Sequence, residues 1–440
     1  MADLNDLQRL LDSEARSRHV PGAAVGVRID GADHVLTTGV TSLDSPAPVT
    51  GETLFQIGST TKTVTATVVM HLVEEGRVGL DDPVRRHLPD LRLADEQAAA
   101  ALTVRHLLTH TAGFMGDIDD GTSWDTAALG RSIDGYDRLP QLFPPGTLAS
   151  YNNAAFRLLG RLAEVVYGEP YESVVRKVVL DPLGMEQSFF FPWEAATRSH
   201  AVGHAVEEDG ARVAHTWGLF RDGMPEGGLL SSARDQLRYA AFHLGEGGER
   251  PVGAATRELM RREHVAMGVP WRGIGLPWLL EEQGGLELVT HGGNIGNVQI
   301  STFVLVPERR FAVTTLTNSG AGRGLGQQVT DWCLEHLLGV EIERARPRLR
   351  DPEPECAGSY DAGQWTFEVD EALNVEMVLR PELVAEGVAG LPGMALALVE
   401  GSDDVVMAAE PSRVVGRFLR DDAGRITFLH LAGRAARRTS

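Results

Sequence analysis

An α/β unit whose sheet is completed by both ends of a long segment, followed by a small antiparallel β-domain, is the architecture these 440 residues predict. Three observations carry it. β-rich runs near the start and towards residue 320 bracket a helical middle. The stretch 341–355 is charged, carries three prolines and lacks an apolar period, as linkers do. Beyond it, roughly eight short alternating runs follow one another with turn residues between them.

Taken in order, residues 1–12 alternate charges with leucines, the pattern of an amphipathic helix. The runs 23–29 and 34–40 are β-rich, and Asp30-Gly31-Ala32 between them is a hairpin signal. From about residue 53 to 245 helical patterns dominate: 60–75 closes on Gly76, and Phe156, Leu159, Leu162 and Val166 trace an apolar face before Gly168. Runs at 286–290, 298–306 and 311–317 predict three successive strands, the last two joined through Pro307-Glu308-Arg309, and a helix follows over about 325–338. Past the linker, strands are expected near 356–360, 365–369, 373–379, 395–399, 405–409, 414–419, 426–429 and 432–438, enough for a small barrel or sandwich.

Composition removes several function classes. A net charge of −20 repels polyphosphate, so no nucleic-acid partner is expected. Lys62 and Lys177 are the only lysines among 41 basic residues, so positive charge resides almost wholly in guanidinium groups that stay protonated. Cys333 and Cys356 are too few for a disulfide framework and read as core thiols. The opening residues lack an apolar signal core, and no stretch approaches the roughly 18 uninterrupted apolar residues of a membrane span. A cytoplasmic protein with no membrane partner is expected; oligomeric state is not legible.

Ser59-Thr60-Thr61-Lys62 opens the first helix of the middle segment. A spacing of three puts hydroxyl and amine on one helical face. Serine needs a base to become a nucleophile, and a lysine with a lowered pKa can be one, whereas arginine cannot. An N-cap serine beside a surface lysine would show the same spacing. Tyr151-Asn152-Asn153 follows Phe143-Pro144-Pro145-Gly146 and precedes an amphipathic helix. A tyrosine whose pKa is lowered beside an ammonium can shuttle protons, and an asparagine amide can orient lysine and substrate; alternatively Asn153 caps the helix and Tyr151 is a core ring. At the end of one expected strand stands His291-Gly292-Gly293-Asn294, where two glycines permit close backbone approach, letting the Asn294 N–H join the Ser59 N–H in an oxyanion hole.

Together and in this order, Ser59-x-x-Lys62, Tyr151-x-Asn153 and His291-Gly292-Gly293 resemble the serine β-lactamase and penicillin-binding-protein superfamily, in its class C-like branch. The stretches 21–27, 80–83, 107–113, 182–185 and 227–235 support the resemblance, which covers about residues 5–340. It implies an antiparallel five-stranded sheet flanked by helices, an all-helical subdomain, and an active site in the groove between them. A catalytic domain at 1–340, the linker, and a domain at 356–440 that looks like the lipocalin-like barrel of some relatives make up the chain. By the same resemblance Ser59 is the acylated nucleophile, Lys62 its base or relay, Tyr151 a partner base, Asn153 an orienting donor, and Gly292 and Gly293 line the substrate. His291 stands where the family has lysine, which makes the charge there switchable, and Gly292 replaces a threonine hydroxyl that grips carboxylates. The expected function is hydrolysis of an ester, or of a small or D-configured amide or peptide, through an acyl-enzyme. Acyl transfer or peptide cyclisation ranks next, then β-lactam hydrolysis, then a silent binding protein. No cofactor and no metal are implied.

Other features read as structure. The glycines of 320–326 fall at every second position, outside a dinucleotide-binding frame, and suggest a flexible connection. His110 reads as a histidine bracing the loop before Gly113. Asp119-Asp120 and Glu281-Glu282 read as solvated acidic pairs, and Arg434, Arg437 and Arg438 as a tail at the solvent or barrel rim. Substrate walls are expected from 114–136, 217–227 and the edge of the β-domain.

Overall fold

The computed structural model describes residues 4–117, 121, 123–246, 251–342, 348–363, 365–379, 393–402, 404–408 and 413–440. Asp119-Asp120 lies outside them.

The first sheet is antiparallel throughout, in the order Ala32–Gly39, Gly22–Ile29, Phe311–Thr317, Gln299–Val306, Leu286–Ile295, Leu279–Gln283, Gly273–Ile274 and Val265–Ala266. Its first five strands are those the resemblance implies, and three shorter ones extend the sheet to eight. Gly22–Ile29 pairs with Phe311–Thr317, Ala23 opposite Thr317, so the two ends of the segment do meet in one sheet. Asp30 and Gly31 take φ of 52° and 77°, the left-handed pair that a two-residue hairpin turn requires.

Helices cover both faces. Leu4–Ser17 and Gly322–His336 bury Leu7, Leu11, Leu325, Val329 and Leu334 against one face. The larger core on the other face contains Thr61–Glu74, a helix whose residues from 61 to 70 are all buried. A helix buried all round must satisfy its polar groups locally, and its threonines do so. Thr63 Oγ1 donates to the Thr60 carbonyl at 2.8 Å, Thr67 Oγ1 to that of Thr63 at 2.9 Å, and Thr65 Oγ1 to that of Pro225 at 2.6 Å.

Two expectations shift. The strand expected to end at 290 runs on to Ile295, carrying the His291 triplet within it. The glycine-rich stretch is not a flexible connection: the helix starts at Gly322, because a Cβ there would lie 1.8 Å from Thr317 Oγ1 and one at Gly326 would lie 2.6 Å from Thr302 Cγ2. Glycine lets this helix lie directly on the sheet.

The second domain is a closed eight-stranded antiparallel barrel running from Gly358–Asp361 to Arg434–Arg438, with Met394–Val399 also pairing to Val405–Ala408 to close the ring. Leu349–Arg350, inside the expected linker, pairs with Met394–Val399, so the barrel's hydrogen bonding begins before residue 356. Cys333 and Cys356 are free and buried. Among the described residues no helix is long and apolar enough to cross a membrane, and no group of three His, Cys, Asp or Glu could hold a metal ion.

Candidate active site

Ser59 sits in the 3-10 turn Gly58–Thr60 that leads into Thr61–Glu74. Gly58 has φ of 54°, where a side chain would be strained and its Cβ would stand 2.7 Å from the Asn294 nitrogen. The sheet holds the turn from the side: Ser301 Oγ donates to the Ile57 carbonyl at 2.7 Å and is 2.8 Å from Thr60 Oγ1. From His291 onward the strand Leu286–Ile295 has a strand partner on one side only. Its other edge meets the serine turn so closely that a Cβ on Gly293 would lie 1.8 Å from the Ile57 oxygen. The glycines thus do permit the close approach expected of them, and the Asn294 backbone lies against Gly58.

The Lys62 amine donates to Ser59 Oγ at 3.1 Å and to the Glu226 main-chain carbonyl at 2.6 Å. The side chain is fully buried, and desolvation lowers its pKa to about 7, against the pull of Glu226 and Asp117. At neutral pH a substantial share of this amine is therefore unprotonated.

Tyr151 hydrogen-bonds to Ser59 and lies with its ring centre 5.0 Å from the Lys62 nitrogen. Burial raises its pKa, and the bond to Ser59 and the charge of Arg434 only temper the rise. The expectation of a lowered tyrosine pKa is thereby corrected: desolvation outweighs the neighbouring cations, and the phenol is neutral. His110 stacks beneath this ring at 4.4 Å, and its Nδ1 accepts from the Asn152 N–H at 3.0 Å. The histidine thus braces the loop that carries Tyr151.

His291 Nδ1 lies 2.9 Å from the Gly292 carbonyl, which can only accept, so the ring proton is on Nδ1 and Nε2 keeps its lone pair. Burial, and then Lys62, lower its pKa to about 3. Its charge is not switchable near neutrality, as the sequence suggested; it is fixed at zero. Asn153 does not bond the lysine either. Its Nδ2 donates to Asp117 Oδ1 at 2.7 Å, it makes no side-chain cap to the helix Ala154–Tyr167, and its buried Oδ1 has no partner.

Four residues of the site carry no motif, although Asp117 and Glu226 fall within the segments 114–136 and 217–227 expected to form its walls. Asp117 accepts from Arg434 Nε and Nη2 at 2.7 and 2.9 Å, and that guanidinium is 5.2 Å from the Tyr151 ring centre. Arg434 is therefore not a rim residue. It sits on the last barrel strand, just past the turn at Ala432 and Gly433, where φ is 49° and 83°. That hairpin is bonded to the tyrosine loop: the Tyr151 N–H donates to the Gly433 carbonyl at 2.8 Å, the Ala435 N–H to Ser150 Oγ at 3.0 Å, and His430 Nε2 lies 3.0 Å from the Ala149 carbonyl. Arg437 likewise donates to the Leu142 carbonyl, while Arg438 bonds the carbonyls of Glu355, Ala357 and Ser440. The other two missed residues, Arg157 and Glu226, form a buried ion pair. Glu281, read as solvated charge, accepts from Thr290 Oγ1 at 3.2 Å.

A buried amine near its pKa, a serine hydroxyl within its reach, a neutral phenol on the same hydroxyl and an open strand edge suit acyl chemistry on a carbonyl substrate. Comparison with known proteins agrees. The family model described as Beta-lactamase matches residues 7–331. Penicillin-binding protein 4 of Amycolatopsis lactamdurans is 33% identical over 369 residues, covering 80% of this chain and 96% of that protein. The crystal structure of SurE superposes with a TM-score of 0.77 at 27% identity, covering 99% of both chains. The D-amino acid amidase of Ochrobactrum anthropi SV3, solved with L-phenylalanine amide, does so with a TM-score of 0.65 at 26% identity, covering 77% of this chain and 99% of the amidase.

Proposed function

Because this chain belongs to the beta-lactamase family, whose members are generally serine hydrolases, we propose that it cleaves an ester, or a small or D-configured amide or peptide, through an acyl-enzyme on Ser59. The observation that carries this reading is the Lys62 amine, buried, depressed to a pKa of about 7 and 3.1 Å from Ser59 Oγ.

In the forward step Ser59 Oγ attacks the substrate carbonyl carbon while its proton passes to the neutral Lys62 amine. The carbonyl π electrons move to oxygen, where the N–H groups of Ser59 and Asn294 receive the oxyanion. Collapse re-forms the carbonyl and expels the leaving group, which takes a proton relayed from Lys62 through the Tyr151 hydroxyl. Water then attacks the ester carbonyl carbon, with the amine again taking the proton; the C–Oγ bond breaks, Ser59 Oγ takes that proton back from Lys62, and the acid is freed. Tyr151 acts here as a neutral relay and not as a phenolate base. Asn153 orients the acyl group, which runs along the strand edge at Gly292 and Gly293, and Gly293 lets the serine turn close onto that edge. His291, neutral and without a hydroxyl neighbour at 292, offers no cation to a substrate carboxylate, which favours esters and amides over β-lactams. The amidase neighbour supports the D-configured amide option.

The test is a panel of p-nitrophenyl ester, D-amino-acid amide, β-lactam and peptidyl thioester with intact-mass detection. A covalent adduct that is absent from Ser59→Ala is expected. No adduct on the native protein, or one that survives the substitution, sinks the reading and returns the chain to a binding role. Product in which an amine has captured the acyl group, with little free acid, moves it to acyl transfer.

A further inference from the structure

Lys62 lies between two acid–arginine pairs. One, Asp117 with Arg434, approaches from the barrel; the other, Glu226 with Arg157, lies wholly within the helical subdomain. The second pair is tied to the amine by a covalent route. Glu226 contributes its main-chain carbonyl to Lys62 Nζ at 2.6 Å, the shorter of that amine's two bonds, and its carboxylate to Arg157, whose Nε and Nη2 donate at 2.9 and 3.3 Å. Arg157 Nη1 also donates to Asp222 Oδ2 at 2.9 Å. Arg157 side-chain exposure is 3%, so these bonds form away from water, where a fork of donors on two carboxylates fixes geometry strongly.

The surroundings make this a clamp on a particular turn. Glu226 belongs to the single helical turn Met224–Gly227, wedged between the lysine helix and the helix Ala154–Tyr167 that carries Arg157. The contact with the latter is close enough that a Cβ on Gly160 would lie 2.2 Å from Pro225 Cγ, and Thr65 Oγ1 ties the Pro225 carbonyl from the lysine side. One turn of helix has little rigidity of its own. The Arg157 fork supplies it.

We propose that Arg157 is a positioning residue for the lysine: through Glu226 it fixes where the Lys62 amine lies and balances the negative charge that the amine meets. The inference rests on the reading of Lys62 as the base. Every charged or titratable group around the amine enters the balance. The Glu226 and Asp117 carboxylates favour the ammonium; Arg157 and Arg434 oppose it; His110 and His291 are neutral; Asp222 is engaged by Arg157; Tyr151 is a neutral phenol. Removing one member of the Arg157–Glu226 pair must then move the amine one way, and removing the other must move it the opposite way.

Because the chain has only two lysines, labelling lysine with 13C at Cε gives two side-chain signals, and the Lys62 signal can be titrated directly without turnover. Arg157→Met leaves the Glu226 and Asp222 carboxylates unbalanced and should raise the midpoint by about half a pH unit; Glu226→Gln, which keeps the main-chain carbonyl, should lower it by about one unit, the larger shift because Glu226 is the strongest charge acting on the amine. The double variant should fall between the two single variants. In parallel, Arg157→Met should lower kcat about 10- to 100-fold with KM little changed. Unmoved midpoints in both single variants, or shifts of the same sign, overturn the proposal. If Arg157→Met does not fold, Glu226→Gln decides alone, and an unmoved midpoint there is fatal. Opposite shifts in a protein that never acylates Ser59 would instead keep the clamp and remove the hydrolase reading.

Discussion

The Arg434 guanidinium, carried by the last strand of the barrel, is centred 5.2 Å from the Tyr151 ring and bonds Asp117 at 2.7 and 2.9 Å. A residue of the second domain thus forms part of the wall of the candidate site in the first domain.

Removing that guanidinium leaves the Asp117 carboxylate without its cation. Burial opposes the charge on Asp117, and Arg434 outweighs it to hold the pKa below the ordinary range. Arg434→Met should therefore lower unfolding free energy by about 1–3 kcal/mol, less than for a fully enclosed pair because the arginine retains some solvent contact. Asp117→Asn in the Arg434→Met background should recover part of the loss. Urea unfolding of the two single variants and the double variant checks this, and strictly additive effects would show that the pair is not coupled.

Acylation should depend on pH through Lys62. The amine acts as a base only when unprotonated, so kcat/KM for an activated ester should rise through a midpoint near its pKa of about 7 and level off above it. His291, lowered to about 3, contributes no inflection between pH 5 and 9. His291→Asn should therefore change the height of the profile and leave the midpoint in place; disappearance of the acid limb in that variant would transfer the base role to the histidine.

Lys62→Met should make the protein more stable as well as inactive. The folded-state pKa of about 7 lies below the ordinary 10.5, so between those values the unfolded chain holds a proton that the folded chain has shed. Stability from this group then rises with pH across that window, and the cost of burying the amine is fully present at pH 7 and below. A gain of about 1–4 kcal/mol is expected near pH 7, shrinking towards pH 10. Thermal melts at the two pH values test it, and a gain that grows with pH would contradict the sign.

Adjacent glycines should respond differently. A Cβ on Gly293 would stand 1.8 Å from the Ile57 oxygen, which forces the serine turn away from the strand, whereas on Gly292 the nearest atom is the Ser301 oxygen at 3.3 Å. Gly293→Ala should abolish acylation and cost about 1–3 kcal/mol. Gly292→Ala should fold with near-native stability and keep its reactivity towards an activated ester. Equal losses in the two variants would mean that the strand edge does not set the position of Ser59.

Much of this was legible in the sequence because it is local. Ser59 and Lys62 meet through helical spacing, the hairpin at Asp30-Gly31 follows from turn chemistry, and the barrel strands follow from alternation. What escaped depends on partners far apart in the chain. Asp117 and Arg434 are separated by 317 positions, and Arg157 and Glu226 by 69, with no motif around any of them. Protonation states escaped for a related reason. Lysine beside serine suggested a depressed amine, but the neutral Tyr151 and His291 are products of burial, which no local pattern encodes. The glycines of 320–326 looked flexible because flexibility is what isolated glycine suggests; the threonines they pack on come from two different strands.

The bonds from Ala149, Ser150 and Tyr151 to the hairpin around Gly433 also order events in time. They close loops of more than 280 residues, the slowest class of contact to form when a chain refolds. Helices and sheet of the first domain can assemble before the barrel closes, and His110 can brace the tyrosine loop from within that domain, yet the loop's bonds to Gly433 and Ala435 form only when the final hairpin docks. Reactivity of Ser59 should accordingly return later in refolding than helical signal does, with the barrel acting as the last step of maturation.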